Sequence, residues 1–242
     1  AKQSGVLAGL EEAKMVFREL GLKVKPLKSD GEKIKPGTAV MLVRGRARNI
    51  LAGERVALNL LMRMSGIATA TAELLRLAKR RNRRVLVAAT RKTAPLSARF
   101  DKQAVIVGGG SPHRRNLSEQ ILIKDNHLRV VGSIEEAVRK AKSAHRGKVE
   151  VEACTVSEAL SAARAGADII MLDNMRPKEI QKTVRLLKRE GLRDRVVLEA
   201  SGGINPSNIA DYAATGVDII STSYMTMKAP AIDMSLELTE IH

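Results

Sequence analysis

Three groups of cations stand close together along the chain. They are Thr90-Arg91-Lys92-Thr93, then His113-Arg114 behind Gly108-Gly109-Gly110, then Lys124 in Leu122-Ile123-Lys124-Asp125-Asn126-His127. Arg91 and Arg114 offer planar guanidinium forks, each able to grip a carboxylate or phosphate through two parallel hydrogen bonds, and Lys92 and Lys124 add point charges. A cation drawn into a pocket requires a counter-charge, so the grouping reads as a pocket for a small, dense polyanion. The competing account pairs these cations with neighbouring Asp101 and Asp125.

Carboxylates stand near them in the sequence. Glu150 and Glu152 alternate with valines in Val149-Glu150-Val151-Glu152 and so share one face of a strand, and Asp173 closes the apolar run from Ile169. At the mouth of a cationic pocket, such groups point to hydroxyl recognition or to a divalent metal, because Mg²⁺ is held by one or two carboxylates together with substrate phosphates. For Glu150 a structural salt bridge is the alternative. Ser201-Gly202-Gly203 follows the apolar run Val196–Ala200 and precedes Asn205-Pro206. Backbone N–H groups in such a turn, backed by a helix N-terminus, form an anion cradle. His113 and His127 have no partner His or Cys at ligand spacing, and no base can be assigned to Cys154 as a nucleophile.

Positioning these groups requires strands that end together. Val85–Ala89, Gln120–Ile123, Val149–Ala153, Asp168–Leu172, Val196–Ala200 and Asp218–Ser221 read as short apolar strands, with helices at Ile134–Ala144, Val156–Ala165, Lys178–Glu190 and Asn208–Ala214 between the later ones. Alternating strands and helices imply a parallel sheet. Arg91, Lys124, Glu152, Asp173, Ser201 and Ser221 all fall at or just past a strand's C-terminal end, which favours an α/β barrel with one mouth over an open sheet. The front of the chain reads differently. It has a short helix Leu10–Leu20, strands Val24–Leu27 and Ala39–Arg44, and a helical pattern from Ile50 to Lys79 with a break expected near Ser65-Gly66. The tail after Pro230 is expected to form a strand over Met234–Glu240 that pairs with this front piece. The domain division is therefore 1–66 with the tail 232–242, and 67–231 for the barrel.

Composition limits the classes of function. The chain has 242 residues, 44% hydrophobic and 28% charged, with a formal charge of +16 and only 2% aromatics. So few aromatics leave little to stack nucleic-acid bases, and the densest basic run, Lys79–Arg84, sits at a helix end where cations face water and complement the dipole. The excess charge is read as solvated surface plus an acidic small-molecule substrate, with no nucleic-acid partner. No run reaches the length of a membrane span. One cysteine excludes an intramolecular disulfide, which fits a reducing, cytoplasmic setting.

Taken in order, the segments resemble the quinolinate phosphoribosyltransferase (decarboxylating) family. The resemblance runs from Gly5–Gly9 through Glu54–Asn59, Ser65–Thr69, Thr90–Thr93, Gly108–Gly110 with His113-Arg114, and Leu122–His127 to Leu172–Met175, Glu199–Gly203 and Thr215–Asp218. It implies an N-terminal α/β sandwich followed by an incomplete, open-faced parallel α/β barrel. By that likeness Arg91, Lys92, Arg114 and Lys124 bind the two carboxylates of quinolinate, with Thr90 and His113 beside them. Glu152 and Asp173 hold the ribose and Mg²⁺ of phosphoribosyl pyrophosphate, and Ser201, Gly202 and Gly203 with Thr222, Ser223 and Tyr224 take its 5′-phosphate. Lys92, Lys124, Glu152 and Asp173 are the residues assigned to catalysis. Arg55 reaches a neighbouring subunit's site, so a homodimer is the smallest active unit.

Several positions depart from the family pattern. Ser223 stands where Gly is usual and Met227-Lys228 where His-Ser is usual. Ala94-Pro95-Leu96-Ser97-Ala98 lacks the Gly and Arg that normally follow the Pro, and Gln103 replaces a frequent Tyr. By the same resemblance the sandwich's first strands and helix are missing ahead of Ala1, so the chain is expected to be trimmed there. Two other readings compete. A sister group associated with molybdenum transport shares the Arg-Lys-Thr and His-Arg clusters, but it tends to lose the Lys-Asp-Asn motif kept here at Lys124–Asn126. A non-catalytic RNA-binding protein would explain the charge but not the strand-end carboxylates.

Overall fold

The computed structural model describes residues 1–114, 120–144 and 147–239. The chain opens with β1 (Gly5–Val6), α1 (Leu10–Glu19), β2 (Lys23–Pro26), β3 (Lys33–Ile34), β4 (Met41–Arg44) and α2 (Ala47–Lys79). There follow β5 (Leu86–Ala89), α3 (Ala98–Val107), β6 (Ile121–Ile123), α4 (Asp125–Val131), α5 (Ile134–Ala144), β7 (Val149–Ala153), α6 (Val156–Arg164), β8 (Ile169–Asp173), α7 (Pro177–Arg189), β9 (Val197–Ser201), α8 (Ile209–Ala213), β10 (Ile219–Thr222) and α9 (Tyr224–Met227). They form two compact units. One holds Ala1–Glu73, Lys92–Gly110 and the chain from Met225 onward; the other holds Leu74–Arg91 and Ser111–Tyr224.

The first unit buries the apolar face of α1 (Leu10, Ala13, Phe17) with Leu7, Leu22 and Ile34, with Ile50, Ala57, Leu58 and Leu61 of α2, and with Ile232 and Met234 of the tail. Two small antiparallel ladders, β1 with β3 and β2 with β4, edge this core. The break expected at Ser65-Gly66 is absent, because α2 runs unbroken. Both residues serve packing instead. Ser65 Oγ accepts from Ala8 N at 3.0 Å and donates to Ala8 O, and a Cβ on Gly66 would strike the Pro230 carbonyl. The strand expected in the tail is also absent through residue 239. Ile232 N bonds Met62 O and the tail adds side chains to the core rather than a sheet edge.

Inside the same unit Asp101 is fully buried and takes a two-pronged bond from Arg63, Nε and Nη2 each at 2.8 Å. Nearby, Leu96 is fully exposed at φ 61°. The left-handed conformation costs an L-residue about 1–2 kcal/mol, while glycine's added chain entropy takes back about 0.5–1 kcal/mol. Leu96→Gly is therefore expected to stabilise the protein slightly, by about 0.5 kcal/mol, read as a higher denaturant midpoint. A lower midpoint would contradict this.

The second unit is one parallel sheet in the order β5-β10-β9-β8-β7-β6. Its first and last strands in the chain, β5 and β10, are hydrogen-bonded neighbours (Leu86 to Ala89 against Ile219 to Thr222). That is the closure of a barrel and not of an open sheet. Ser111 makes an isolated parallel bridge to Ala88 on the other side of β5, and among the described residues β6 pairs only with β7, so the ring is incomplete between them.

A repeated device sets the register at the edge away from the mouth. Gly166-Ala167-Asp168-Ile169-Ile170 recurs as Gly216-Val217-Asp218-Ile219-Ile220, each glycine at positive φ and each aspartate just ahead of a strand. Asp168 Oδ2 accepts Val149 N and Asp218 Oδ2 accepts Leu198 N, both at 2.8 Å, tying each strand start to its neighbour. Helix starts are capped as the sequence allows. Thr155 Oγ1 accepts Glu158 N while Glu158 accepts Cys154 N, and Pro177 opens α7.

Candidate functional site

Because the six strands are parallel, their C-terminal ends lie on one edge, and the polar residues of the second unit collect there. Thr90 and Arg91 follow β5, His113 and Arg114 follow the Ser111 bridge, and Lys124 follows β6. Glu152 lies near the end of β7, Asp173 ends β8, Ser201 ends β9 and Thr222 ends β10. Arg91, Lys124 and Gly203 are exposed; Thr90, His113, Arg114, Glu152, Asp173, Ser201, Gly202, Ser223 and Tyr224 are half-buried. Sheet order separates the chemistry. Cations occupy β5, the Ser111 segment and β6, while carboxylates and the glycine turn occupy β7, β8 and β9.

Lys124 Nζ meets Glu152 Oε1 at 2.5 Å. A strand-end carboxylate on the neighbouring strand thus supplies Lys124 with a counter-charge from within the protein. Asp101 and Asp125 do not take over that role among the described ion pairs; Asp101 belongs to Arg63. Asp173 is steered by the next residue, with Asn174 Nδ2 donating to Asp173 Oδ2 at 2.7 Å and Asn174 N bonding Ser201 O. Asn174 sits at φ 55° to do this. It also explains Gly202, where φ is 99° and any Cβ would collide with Asn174 Oδ1.

The Ser201-Gly202-Gly203 turn is braced by Asn205 Nδ2 and Asn208 Nδ2, both donating to Gly203 O at 3.2 Å. The helix behind it, α8, has only five residues and starts at Ile209, so the helix-dipole contribution expected from sequence is small and an anion there would depend on the turn's own N–H groups. Thr222 is not free to donate to a ligand. Its Oγ1 donates to Ile204 O at 2.6 Å and accepts Tyr224 N, locking β10 to the glycine turn.

Beneath the mouth lies a cluster that sequence reasoning did not assemble. His113 Nε2 meets Glu199 Oε2 at 2.9 Å, and Gln120 Nε2 donates to Glu150 Oε2. Glu150 and Glu199 are fully buried, and Oε1 of each has no hydrogen-bond partner among the described residues. Burial, and then the Glu199 charge, push the Glu150 carboxyl up to about 7, against the pull of His113 and Arg114. In place of the salt bridge that was the alternative, Glu150 meets the amide of Gln120. His113, which lacked a ligand-spaced partner in sequence, finds two carboxylates from other strands, with ligand atoms of the three within 4.8 Å. Glu199 did leave a signal: it interrupts the apolar run Val197-Leu198-Glu199-Ala200 two places before Ser201, on the same strand face.

His127 Nδ1 accepts Lys124 N at 3.0 Å and so serves as a helix cap. Burial and the neighbouring acidic side chains Glu158, Asp173, Glu152 and Asp125 push the Cys154 thiol up, which disfavours a thiolate nucleophile. Arg55, on α2, and Lys92 belong to the first unit. Both are exposed, and Lys92 O accepts Thr226 Oγ1 at 2.7 Å. No helix among the described residues is long and apolar enough to cross a membrane.

Comparisons with known proteins cover the same ground. Residues 1–65 match the model of the quinolinate phosphoribosyl transferase N-terminal domain and residues 67–237 that of its C-terminal domain. A probable nicotinate-nucleotide pyrophosphorylase [carboxylating] of Archaeoglobus fulgidus is 50% identical over 240 residues, spanning 99% of this chain and 93% of its own. The human nicotinate-nucleotide pyrophosphorylase [carboxylating] is 42% identical, over 98% of this chain and 80% of its own. Among solved structures, NadC from Streptococcus pyogenes superposes with a TM-score of 0.89 at 38% identity, over 96% of this chain and 81% of that one.

Proposed function

This chain belongs to the quinolinate phosphoribosyltransferase family, and from that premise we propose that it transfers the phosphoribosyl group of phosphoribosyl pyrophosphate to quinolinate with loss of CO₂. The products are nicotinate mononucleotide and pyrophosphate, and the step feeds NAD biosynthesis. The observation that carries this reading is the division of the mouth by sheet order. Cations stand on β5, the Ser111 segment and β6, and carboxylates with an anion cradle stand on β7 to β9. One arc suits a dicarboxylate ring acid and the other a ribose phosphate.

In this reading Arg91 and Arg114 clamp the two quinolinate carboxylates, with Lys92, His113 and Thr90 beside them. The turn at Ser201–Gly203, with Ser223 and Tyr224, receives the 5′-phosphate. Asp173, aimed by Asn174, and Glu152, held by Lys124, face the ribose. The ring nitrogen attacks the anomeric carbon as the bond to pyrophosphate oxygen breaks, and the clamped geometry supplies much of the rate by holding the reacting atoms in line. The positive charge on the quaternary nitrogen then stabilises the electron pair left on the adjacent ring carbon as the carboxylate departs as CO₂, and a proton from water restores that carbon. No protein nucleophile enters the sequence.

Glu152 and Asp173 fit a Mg²⁺ ion. They are hard oxygen donors on adjacent strands, half-exposed, so that water and phosphate oxygens can complete six ligands. When bound, Mg²⁺ would neutralise charge developing on the pyrophosphate. The cytoplasmic setting also belongs to this reading, in keeping with one exposed, unpaired Cys154.

Quinolinate is expected to be preferred over nicotinate by about 10²-fold or more in kcat/KM, because losing one carboxylate leaves the donors that it would cover unpaired in the occupied pocket, at about 1–3 kcal/mol each. Equal values for the two acids would overturn the assignment. The active unit in this reading is a homodimer in which exposed Arg55 serves the partner's site. Arg55→Ala and Lys124→Ala should each be nearly inactive. After subunit exchange an equal mixture should recover about a quarter of wild-type activity, since about half the dimers are mixed and each of those has one intact site. Exchange without recovery would place Arg55 outside the site.

A further inference from the structure

We propose that Glu199, buried beneath the mouth, is a positioning residue that holds the His113 imidazole as an oriented donor for the anionic substrate.

Three observations converge on it. The Nε2–Oε2 separation of 2.9 Å is a full hydrogen bond, and the Glu199 side chain is completely buried. Its other oxygen has no hydrogen-bond partner among the described residues. A buried carboxylate so sparsely bonded strongly favours a donating, positively charged partner, and His113 is the partner it meets. His113 itself lies at φ 53°, a left-handed conformation that a non-glycine residue holds only when its surroundings fix it. Contacts of both its backbone and its ring help to fix it here. Its backbone N–H bonds Ser111 Oγ at 3.3 Å, next to the Ala88 bridge, and its ring bonds Glu199.

The second buried carboxylate completes the arrangement. Glu150 is engaged by Gln120 Nε2, and the imidazole Nε2 meets Glu199 rather than Glu150. The result is a chain from β9 through an imidazole to the cationic arc beside Arg114, in which the carboxylate fixes the ring's orientation and tautomer. Glu199 touches no substrate in this arrangement; it acts through His113.

The inference rests on the functional reading only for which anion His113 meets. The test therefore separates the two. In ¹⁵N-labelled protein, the His113 Nε2–H proton, assigned with His113→Asn, is expected to be downfield and slow to exchange. In Glu199→Gln it should exchange about tenfold faster or more, because a charge-assisted bond is replaced by a neutral one. In the same variant KM for quinolinate should rise about tenfold, with KM for phosphoribosyl pyrophosphate within about twofold, and His113→Ala/Glu199→Gln should be no worse than His113→Ala alone. Glu199→Asp, which keeps the charge, should fall between wild type and Glu199→Gln and stands in should the latter not fold. Unchanged exchange in Glu199→Gln, or losses that add in the double variant, would overturn the proposal. Slow exchange that depends on Glu199 in a wild-type protein inert toward quinolinate would support the positioning role and refute the functional reading.

Discussion

Arg114→Lys is expected to lower kcat/KM for quinolinate by about 10²-fold, with the binding of phosphoribosyl pyrophosphate little changed. Lysine keeps the charge, so the long-range field is preserved. What it loses is the planar fork that meets both oxygens of a carboxylate at once, and a charge-assisted bond of that kind contributes about 1.5–3 kcal/mol. Arg114 is half-buried and directly follows His113, so a shifted ammonium cannot be compensated fully by water. Calorimetry with quinolinate reads the effect directly. Unaltered affinity in Arg114→Lys would remove Arg114 from the carboxylate clamp.

Asp173→Asn is expected to lower kcat by about 10³-fold while leaving quinolinate affinity near wild type, since under the proposed function it removes the charge that would face the ribose and help hold Mg²⁺. The local backbone should survive. Asn174 would still bond Ser201 O through its own N–H, and Gly202 would still pass beneath it. The required Mg²⁺ concentration should rise along with the loss of kcat. A variant with normal kcat and normal Mg²⁺ dependence would show that Asp173 serves only to aim the turn.

These expectations draw on both the sequence and the fold, and the two were legible to different degrees. The second unit's strands were readable because a parallel strand buried on both faces leaves an unbroken apolar run, and the polar residue ending each run marks the mouth. Val149–Ala153 matches its expected bounds, and most of the others differ by a residue or two. Readings failed where one residue type can serve two purposes. Ser65-Gly66 looked like a helix break, but its small side chains serve close packing against Ala8 and Pro230. The tail's alternating pattern reflected insertion of Ile232 and Met234 into a core, not a sheet edge.

At the site, residues fixed by neighbours in sequence were legible, as with Ser201-Gly202-Gly203. Residues fixed by distant strands were not. His113, Glu150 and Glu199 come from three separate segments, and only the sheet order β9-β8-β7 and the Ser111 bridge bring them near one another. Lys124 and Glu152 likewise become partners only because β6 and β7 are neighbours.

The most direct measurement of the central claim follows quinolinate labelled with ¹⁴C at the carboxylate beside the ring nitrogen, incubated with the protein, phosphoribosyl pyrophosphate and Mg²⁺. The account predicts labelled CO₂, pyrophosphate and unlabelled nicotinate mononucleotide in equal amounts, each depending on all three additions. Pyrophosphate release without labelled CO₂, or no turnover by protein that binds both substrates, would contradict it.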